Sequence, residues 1–439
     1  MKHKWLSYAL IGIFLALCLT LSIGMLIVGP SQPGSHEQLS EIPLWKNEDG
    51  TWNKDYLSQW IDYVGDRFFL RQELISFDRW LTSHVFFTSG ENGVILGKND
   101  WLFYADTLND YTGTAPLTDR ELFSIVKNLE LMKEYCEANG KEFLFVIAPN
   151  KNALYGQYMP HFGVTVQQTD AARLIAQLKQ QGVPTVDLFA AFGAVDEPLY
   201  FAHDSHWNSK GAALGADLIN QAFGVETSYF SDGFAQSERH DGDLYAMLYP
   251  ALTDPETNPI YGGSLNFSFT SAATKPDAIT LNTAGSGEGK LLAYRDSFGN
   301  LLFPYLADSY ATARFSRSTT YDLTGDADFV LIEIVQRNLR YLLANLPVMP
   351  SPQREISTEF TASGSLQVTI GKRGSFTQIR GTLPQVDSDS PIYVLSGGIA
   401  YEAFCLKDGG FGANLPEGAA PDAVLFTSNG QPVLYQIEN

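Results

Sequence analysis

The sequence is poor in cysteine and in positive charge, and both shortages exclude functions. Three cysteines occur in 439 residues. Cys18 lies in an apolar N-terminal run, and Cys136 and Cys405 are far apart in sequence. Neither a disulfide framework nor a zinc-ligand spacing can be built from them. Lysine and arginine number 29 against 49 aspartates and glutamates, a formal charge of -20. A chain this acidic repels nucleic acid and anionic lipid at long range, so no nucleic-acid partner is expected. There is no fixed-period repeat. What is plentiful is apolar: 45% hydrophobic and 13% aromatic residues, enough for a sizeable core. The length suggests two or three units.

Compartment is set by the first residues. Lys2, His3 and Lys4 precede an uncharged run over residues 6–28. A bilayer takes about 20 apolar residues to cross, and flanking lysines favour a cytoplasmic N-terminus. A cleaved signal peptide is the rival reading. Its apolar core of about 7–15 residues and small-residue cleavage site are not evident. Leu17 before Cys18 argues against a lipoprotein site. Residues 30–37, rich in Ser, Pro and Gly, read as a tether.

Residues 52–87 are aromatic and amphipathic, with Trp60, Val64, Phe68 and Leu74 at helical spacing. Two short apolar runs flank Asn99-Asp100 and read as a hairpin. The pattern then alternates. Helices are expected over 119–139 (capped by Asp119), 170–181, 211–223 (capped by Asn208 or Ser209) and 338–346. Strands are expected over 143–148, 183–188, 291–294 and 329–334. Such alternation predicts an α/β fold with a parallel sheet covered by helices on both faces. After Pro347, Pro350 and Pro352 the sequence turns to alternating strands such as Leu366-Gln367-Val368-Thr369-Ile370. This predicts a small C-terminal β-sandwich beyond a protease-sensitive proline boundary.

Two segments carry the residue types of nucleophilic catalysis. In His203-Asp204-Ser205-His206-Trp207-Asn208, an extended chain would put Asp204 and His206 on one side and turn Ser205 away. A carboxylate beside an imidazole fixes its tautomer and stabilises the imidazolium. The bland alternatives are a helix cap and a structural histidine. In Arg295-Asp296-Ser297-Phe298-Gly299-Asn300, an apolar strand runs into a serine before a helix. That turn can lift a hydroxyl above the sheet edge and supply amide donors for an oxyanion. Only half of G-x-S-x-G is present, because Arg295 holds the first glycine position, and a plain N-cap serine is the alternative. Asn150, Lys151 and Arg295 are candidate oxyanion or substrate donors. A metal reading would use His203, Asp204 and His206 with His161 or His240, but no further ligand motif accompanies them. His240-Asp241-Gly242-Asp243 reads as a solvated turn. Asn266-Phe267-Ser268 fits a glycosylation acceptor, a low-information match.

Five segments in order resemble the AlgX/AlgJ-type alginate O-acetylation proteins, the SGNH-hydrolase-like DHHW group. They are Tyr63-Val64-Gly65-Asp66-Arg67-Phe68 with Leu70-Arg71; residues 94–104; Pro149-Asn150-Lys151 with Tyr158-Met159-Pro160; Asp204-Ser205-His206-Trp207; and Asp296-Ser297-Phe298. The resemblance covers roughly residues 61–346. It implies that Asp204, His206 and Ser297 form a triad, with no metal or cofactor. It also implies work on a surface or secreted polysaccharide, beside a membrane-bound O-acyltransferase that supplies the acetyl group. Ser205 stands where the DHHW name has histidine. The organisation expected is an anchor over 1–29, a linker over 30–50, an SGNH-hydrolase-like α/β/α catalytic domain over 51–350 and a C-terminal β-sandwich domain over 351–439. The expected function is extracytoplasmic O-acetyl transfer. Acetyl-ester hydrolysis is the close alternative, and a non-catalytic polysaccharide-binding scaffold is the alternative from another class.

Overall fold

The structure is a computed structural model that describes residues 4–31, 39–164, 168–357 and 360–438. Lys2, His3 and most of the expected tether lie outside these residues. Helix α1 (Lys4–Ile27) is long and apolar enough to cross a membrane. Helices α2 (Tyr56–Gly65) and α3 (Arg71–Val85) come next, separated by a break at which Leu70 takes a left-handed conformation. Strands β1 (Val94–Leu96) and β2 (Leu102–Tyr104) pair as an antiparallel hairpin. Asn99 and Asp100 both have positive φ at its turn, which short polar side chains tolerate.

Helix α4 (Asp119–Ala138) starts with a capping box in which Thr118, not Asp119, is the N-cap and Glu121 closes the reciprocal bond. The order then runs β3 (Glu142–Ala148), α5 (Asp170–Gln180), β4 (Thr185–Val186) and α6 (Ser209–Ala222). Asn208 caps α6, accepting from the N–H groups of Lys210 and Gly211. Next come β5 (Phe234–His240), helix α7 (Asp243–Leu248), β6 (Glu256–Tyr261), β7 (Ser268–Phe269), β8 (Thr280–Ala284) and β9 (Lys290–Tyr294). Helix α8 (Gly299–Ser309), β10 (Thr312–Ser316) and β11 (Phe329–Val335) complete this part. The helix expected over 338–346 is a 3-10 segment, Gln336–Leu343.

The main sheet has the order β4-β3-β11-β9-β10-β8-β7. The first five strands are parallel, and β8 and β7 add antiparallel neighbours at one edge. The sheet is therefore mixed where the sequence predicted a parallel one. β7 has two residues and β8 alternates buried with half-buried positions, so neither has the continuous apolar run of a central parallel strand. Side chains of the central strands alternate strictly. Phe143, Phe145 and Ile147 of β3 pack with α4 and α5 on one face, and Leu144, Val146 and Ala148 pack with α6 and α8 on the other.

From Gln353 onward, a six-stranded and a four-stranded sheet share one core. Ile379, Phe411 and Leu415 of the smaller sheet meet Val394, Val424 and Phe426 of the larger. This region is stitched to α4. The buried Asn128 amide donates to Cys405 O (2.8 Å) and accepts from Cys405 N (2.9 Å), and Arg354 bridges Glu134 and Glu402. The proline segment is tied down as well. Asn414 Nδ2 donates to Pro347 O and Met349 O, both at 2.8 Å, and Met349 and Ser351 are buried. A protease-sensitive hinge, expected from the prolines alone, does not fit a backbone held this way.

Candidate active site

Strands β3, β9 and β11 end on the same edge of the sheet, and the loops leaving them converge there. This is where parallel α/β sheets carry ligand sites. After β9, the Asp296 carboxylate braces the turn. Its Oδ1 accepts from Phe298 N (3.0 Å), and its Oδ2 accepts from Val335 N (2.8 Å) and Asn338 Nδ2 (3.1 Å). Ser297 is held at the head of α8, half-buried. Its N–H has no hydrogen-bond partner among the described residues and is free for an oxyanion.

The 199–208 segment is a bent loop, not the extended stretch expected. Asp204 and His206 meet through a turn in which Asp204 Oδ1 accepts from His206 N (2.9 Å) as well as contacting the ring Nδ1 (2.7 Å). His206 Nε2 lies 2.8 Å from Ser297 Oγ. The two segments, 91 residues apart, are locked by the fully buried Trp207, whose Nε1 donates to Phe298 O at 3.0 Å. The loop also hangs on Glu256, whose two oxygens accept from the N–H groups of Ala202 and His203 at 2.6 Å each.

Three candidate donors from the sequence are committed elsewhere. Lys151 Nζ, buried, donates to Phe201 O (3.1 Å), Ala202 O (2.9 Å) and Asp204 O (2.6 Å). It fastens the loop and has no bond left for an oxyanion. Asn150 Nδ2 donates to Asp110 Oδ2 at 2.8 Å. Arg295 donates to Asp296 O, Asn300 Oδ1 and Pro276 O. Among the described residues, the buried Asn150 Oδ1 and Arg295 Nε make no hydrogen bond.

Several participants escaped the sequence. The 240–243 stretch, read as a solvated turn, packs against the pair. His240 Nε2 lies 2.9 Å from Asp204 Oδ2, and its ring stacks on Phe201 at 3.9 Å between centroids. Asp243 N donates to Asp204 Oδ2 (3.0 Å), and Asp243 Oδ2 accepts from Ser205 Oγ (2.6 Å). Ser205 is thus beside the pair and not turned away, with its Oγ 3.2 Å from His206 Nδ1. The advance signals were slight: a histidine and two acids around Gly242, and His240 as a possible fourth ligand in the metal reading. Arg337, after β11, lies over the rings of Tyr104 (5.2 Å) and Phe298 (5.5 Å). It makes no hydrogen bond or ion pair among the described residues, and its charge is met by these two rings. Glu333 of β11 is buried behind Asp296, and its Oε1 has no hydrogen-bond partner among the described residues.

The electrostatics are set by burial and pairing. For Asp204, burial favours the neutral acid. The hydrogen bonds from His206 and His240 outweigh it and hold the carboxyl well below its usual range. For His206, desolvation works against the cation, but Asp204 and then Asp243 raise its pKa above the ordinary value. Burial, then the Asp204 charge, raises Asp243. Burial lowers Lys151 to about 8. The ligand atoms of Asp204, His206 and Asp243 lie within 4.8 Å of one another, as do those of Asp100, His203 and Asp254. A cation on His206 Nδ1 would displace the bond that orients the ring, so metal binding there and a base role exclude each other.

A serine, an imidazole and a carboxylate are thus linked in series at the strand ends of a helix-covered sheet. Residues 94–260 match the family described as "ALGX: SGNH hydrolase-like domain, acetyltransferase AlgX". The matched span includes Asp204 and His206 and ends before Ser297. The chain is 24% identical over 223 residues to a probable alginate O-acetylase AlgJ of Pseudomonas syringae pv. tomato, covering 48% of this chain and 52% of that protein. It spans about half the length, or less, of the curated relatives it matches. Among solved structures, Bacillus cereus PatB1 is 20% identical with a TM-score of 0.43, over 56% of this chain and 96% of that one. The O-acetyltransferase domain of Pseudomonas putida AlgJ is 17% identical with a TM-score of 0.37, over 56% and 92%.

Proposed function

We propose that this protein is a membrane-anchored O-acetyltransferase that works outside the cytoplasm on a polysaccharide, with Ser297 as nucleophile, His206 as base and Asp204 as its orienting acid. The observation that carries the reading is the hydrogen-bonded series Ser297 Oγ, His206 Nε2, His206 Nδ1, Asp204 Oδ1, at 2.8 Å and 2.7 Å. Such distances are within direct proton-transfer reach. Ser297 Oγ attacks the carbonyl carbon of an acetyl donor while its proton passes to His206 Nε2. The carbonyl oxygen takes the negative charge beside the Ser297 N–H. Collapse breaks the bond to the leaving group, which takes the proton from His206. In the second half, a sugar hydroxyl gives its proton to His206 and attacks the acetyl-serine carbonyl. The new ester leaves, and Ser297 Oγ recovers the proton.

The acetyl group comes across the membrane from a membrane-bound O-acyltransferase, because acetyl-CoA is cytoplasmic and α1 is the one helix among the described residues long and apolar enough to cross a membrane. The acceptor class rests on the relatives named as alginate O-acetylases. Water in place of the sugar hydroxyl would make the same centre an acetyl-esterase. An acetyl-ester assay on the full chain separates these outcomes. Acetate transferred to an added glycan supports the transferase, release of acetate alone supports the esterase, and no turnover rejects both.

A further inference from the structure

Helix α3 is built inside out. Gln72, Ser76, Arg79 and Ser83 form one stripe at i, i+4, i+7 and i+11, and that polar stripe faces the protein. Ser76 Oγ accepts from Ala251 N (2.8 Å), Ser83 Oγ bonds Tyr249 OH (2.6 Å), and Arg79 donates to Met247 O (2.6 Å) and pairs with Glu91. The apolar stripe, Leu74, Phe77, Leu81 and Val85, is exposed, with Phe77 62% open. Helix α2 buries no residue at all, and its Leu57, Ile61 and Val64 make a second outward stripe, with Leu57 76% and Ile61 73% open. A helix on a soluble domain buries this face, and a continuous exposed apolar surface marks something that covers it.

The position of these stripes says what that is. The junction between α2 and α3 rests on the end of α1. Gly24 of that helix is buried, and a Cβ there would fall on the Phe69 ring. Ser31 N donates to Arg67 O at 3.1 Å. The apolar stripes therefore begin where the apolar span ends. Trp45 and Trp52, which precede α2, and Trp80 of α3 are exposed as well, and tryptophan collects at the membrane–water boundary. Asp62, Glu73 and Asp78 nearly balance Arg71 and Arg79 across the two helices, so apolar contact and not charge supplies the attraction.

We propose that α2 and α3 lie in the interface of the bilayer that α1 crosses, with Leu57, Ile61, Phe77 and Leu81 seated at the acyl boundary. The occupant of this surface is lipid. The proposal rests on α1 as a membrane span and not on acetyl transfer. It also places the candidate site close to the bilayer. The polar stripe of α3 docks on residues 247–251, at the end of α7, and the first residue of α7, Asp243, bonds Ser205 beside His206. One six-residue helix, roughly 9 Å of rise, separates the lipid-facing element from the candidate base, so an acyl group delivered at the membrane has little distance to travel.

The test uses the full chain in phosphatidylcholine proteoliposomes. Nitroxide labels are placed by Ile61→Cys and Phe77→Cys, each with Cys18→Ser, and relaxation by oxygen is compared with relaxation by a water-soluble nickel chelate. Native Cys18 in α1 is the membrane reference, and Lys372→Cys, on an exposed strand, is the water reference. Cys136 and Cys405 are buried and stay unlabelled. Positions 61 and 77 should favour oxygen over nickel by about five-fold or more relative to position 372, as for an interfacial helix. Nickel access equal to position 372, with Cys18 still in lipid, overturns the proposal and leaves the anchor standing. Labels shielded from both reagents overturn it in favour of a second copy of the chain. Cys18 in water overturns it together with the span.

Discussion

Helices α3 and α4 are both amphipathic, and they face opposite ways. Helix α4 buries Leu122, Ile125, Leu129 and Met132 under the sheet, while its Lys127 and Glu134 pair with Glu402 and Arg354 of the C-terminal region. Helix α3 buries Gln72, Ser76 and Ser83 and turns Leu74, Phe77 and Leu81 outward. A periodic stripe shows that a helix has two faces. It does not show which face meets protein, because that depends on what else is present. Around α4 the partner is the sheet, whose own apolar rows need covering. Around α3 the partner on the protein side is the backbone and the tyrosine of residues 247–251, which offer hydrogen bonds. The candidate chemistry belongs to the α4 kind of packing, and the candidate membrane contact belongs to the α3 kind.

Four measurements press on that contrast, and the largest effect concerns the packed side. Ser297→Ala should leave the fold intact and lower turnover of a soluble acetyl ester by roughly four to six orders of magnitude. Phe77→Ser, on the outward stripe, should leave that turnover within about two-fold, since surface changes rarely reach a packed site. Comparable losses in both variants would end the separation of chemistry from membrane contact.

Stability should divide in the same way. Leu129→Ala opens a void in a fully buried position and should cost about 2–5 kcal/mol in denaturant unfolding. Phe77→Ala in detergent-free amphipathic polymer should change stability by less than about 0.5 kcal/mol. A large loss at Phe77 would mean that α3 hides its apolar face against protein after all.

Lys151→Met tests whether the loop fastening is structural. It leaves three carbonyls without their ammonium, so a loss of about 3 kcal/mol is expected, with ester turnover falling as the 201–206 loop loosens. Unchanged stability with lost turnover would instead return Lys151 to a direct role at the reacting carbonyl.

The smallest effect is in pH. His206 must be neutral to act as base, and its pKa is raised, so the acid limb of kcat/KM should lie above the ordinary histidine value of 6.5. His240 shares Asp204 with His206. In His240→Gln, Asp204 loses a partner that competes for its charge, so His206 should titrate higher and the limb should move further up by less than about one pH unit. A downward shift would contradict the shared carboxylate. The sign for folding is also fixed. The lowered pKa of Asp204 stabilises the native state above the unfolded carboxyl range, and that contribution is lost as pH falls through the folded value.

Much of this was legible in the residues. The continuous apolar runs of β3, β9 and β11 announced buried parallel strands. The spacing of α4 and the asparagine before α6 set those helices, and Asp-x-His-Trp with a later Asp-Ser-Phe pointed to the candidate triad. These signals are local, since each rests on hydrogen bonding or side-chain periodicity within a few residues. What depended on chain segments brought together from afar was invisible. The 240–243 stretch looked like a solvated turn until the 199–208 loop closed on it. Lys151 looked like a free donor until three carbonyls converged on its ammonium. The prolines at 347–352 looked like an open boundary until Asn414 bonded across them. The sequence by itself determined the central strands β3, β9 and β11, the helices α4, α5 and α6 and the residue types of the site. Only the tertiary structure decided which polar groups are satisfied and which apolar faces are left open, because a hydrogen bond or a buried face needs its partner in place before it has an energy.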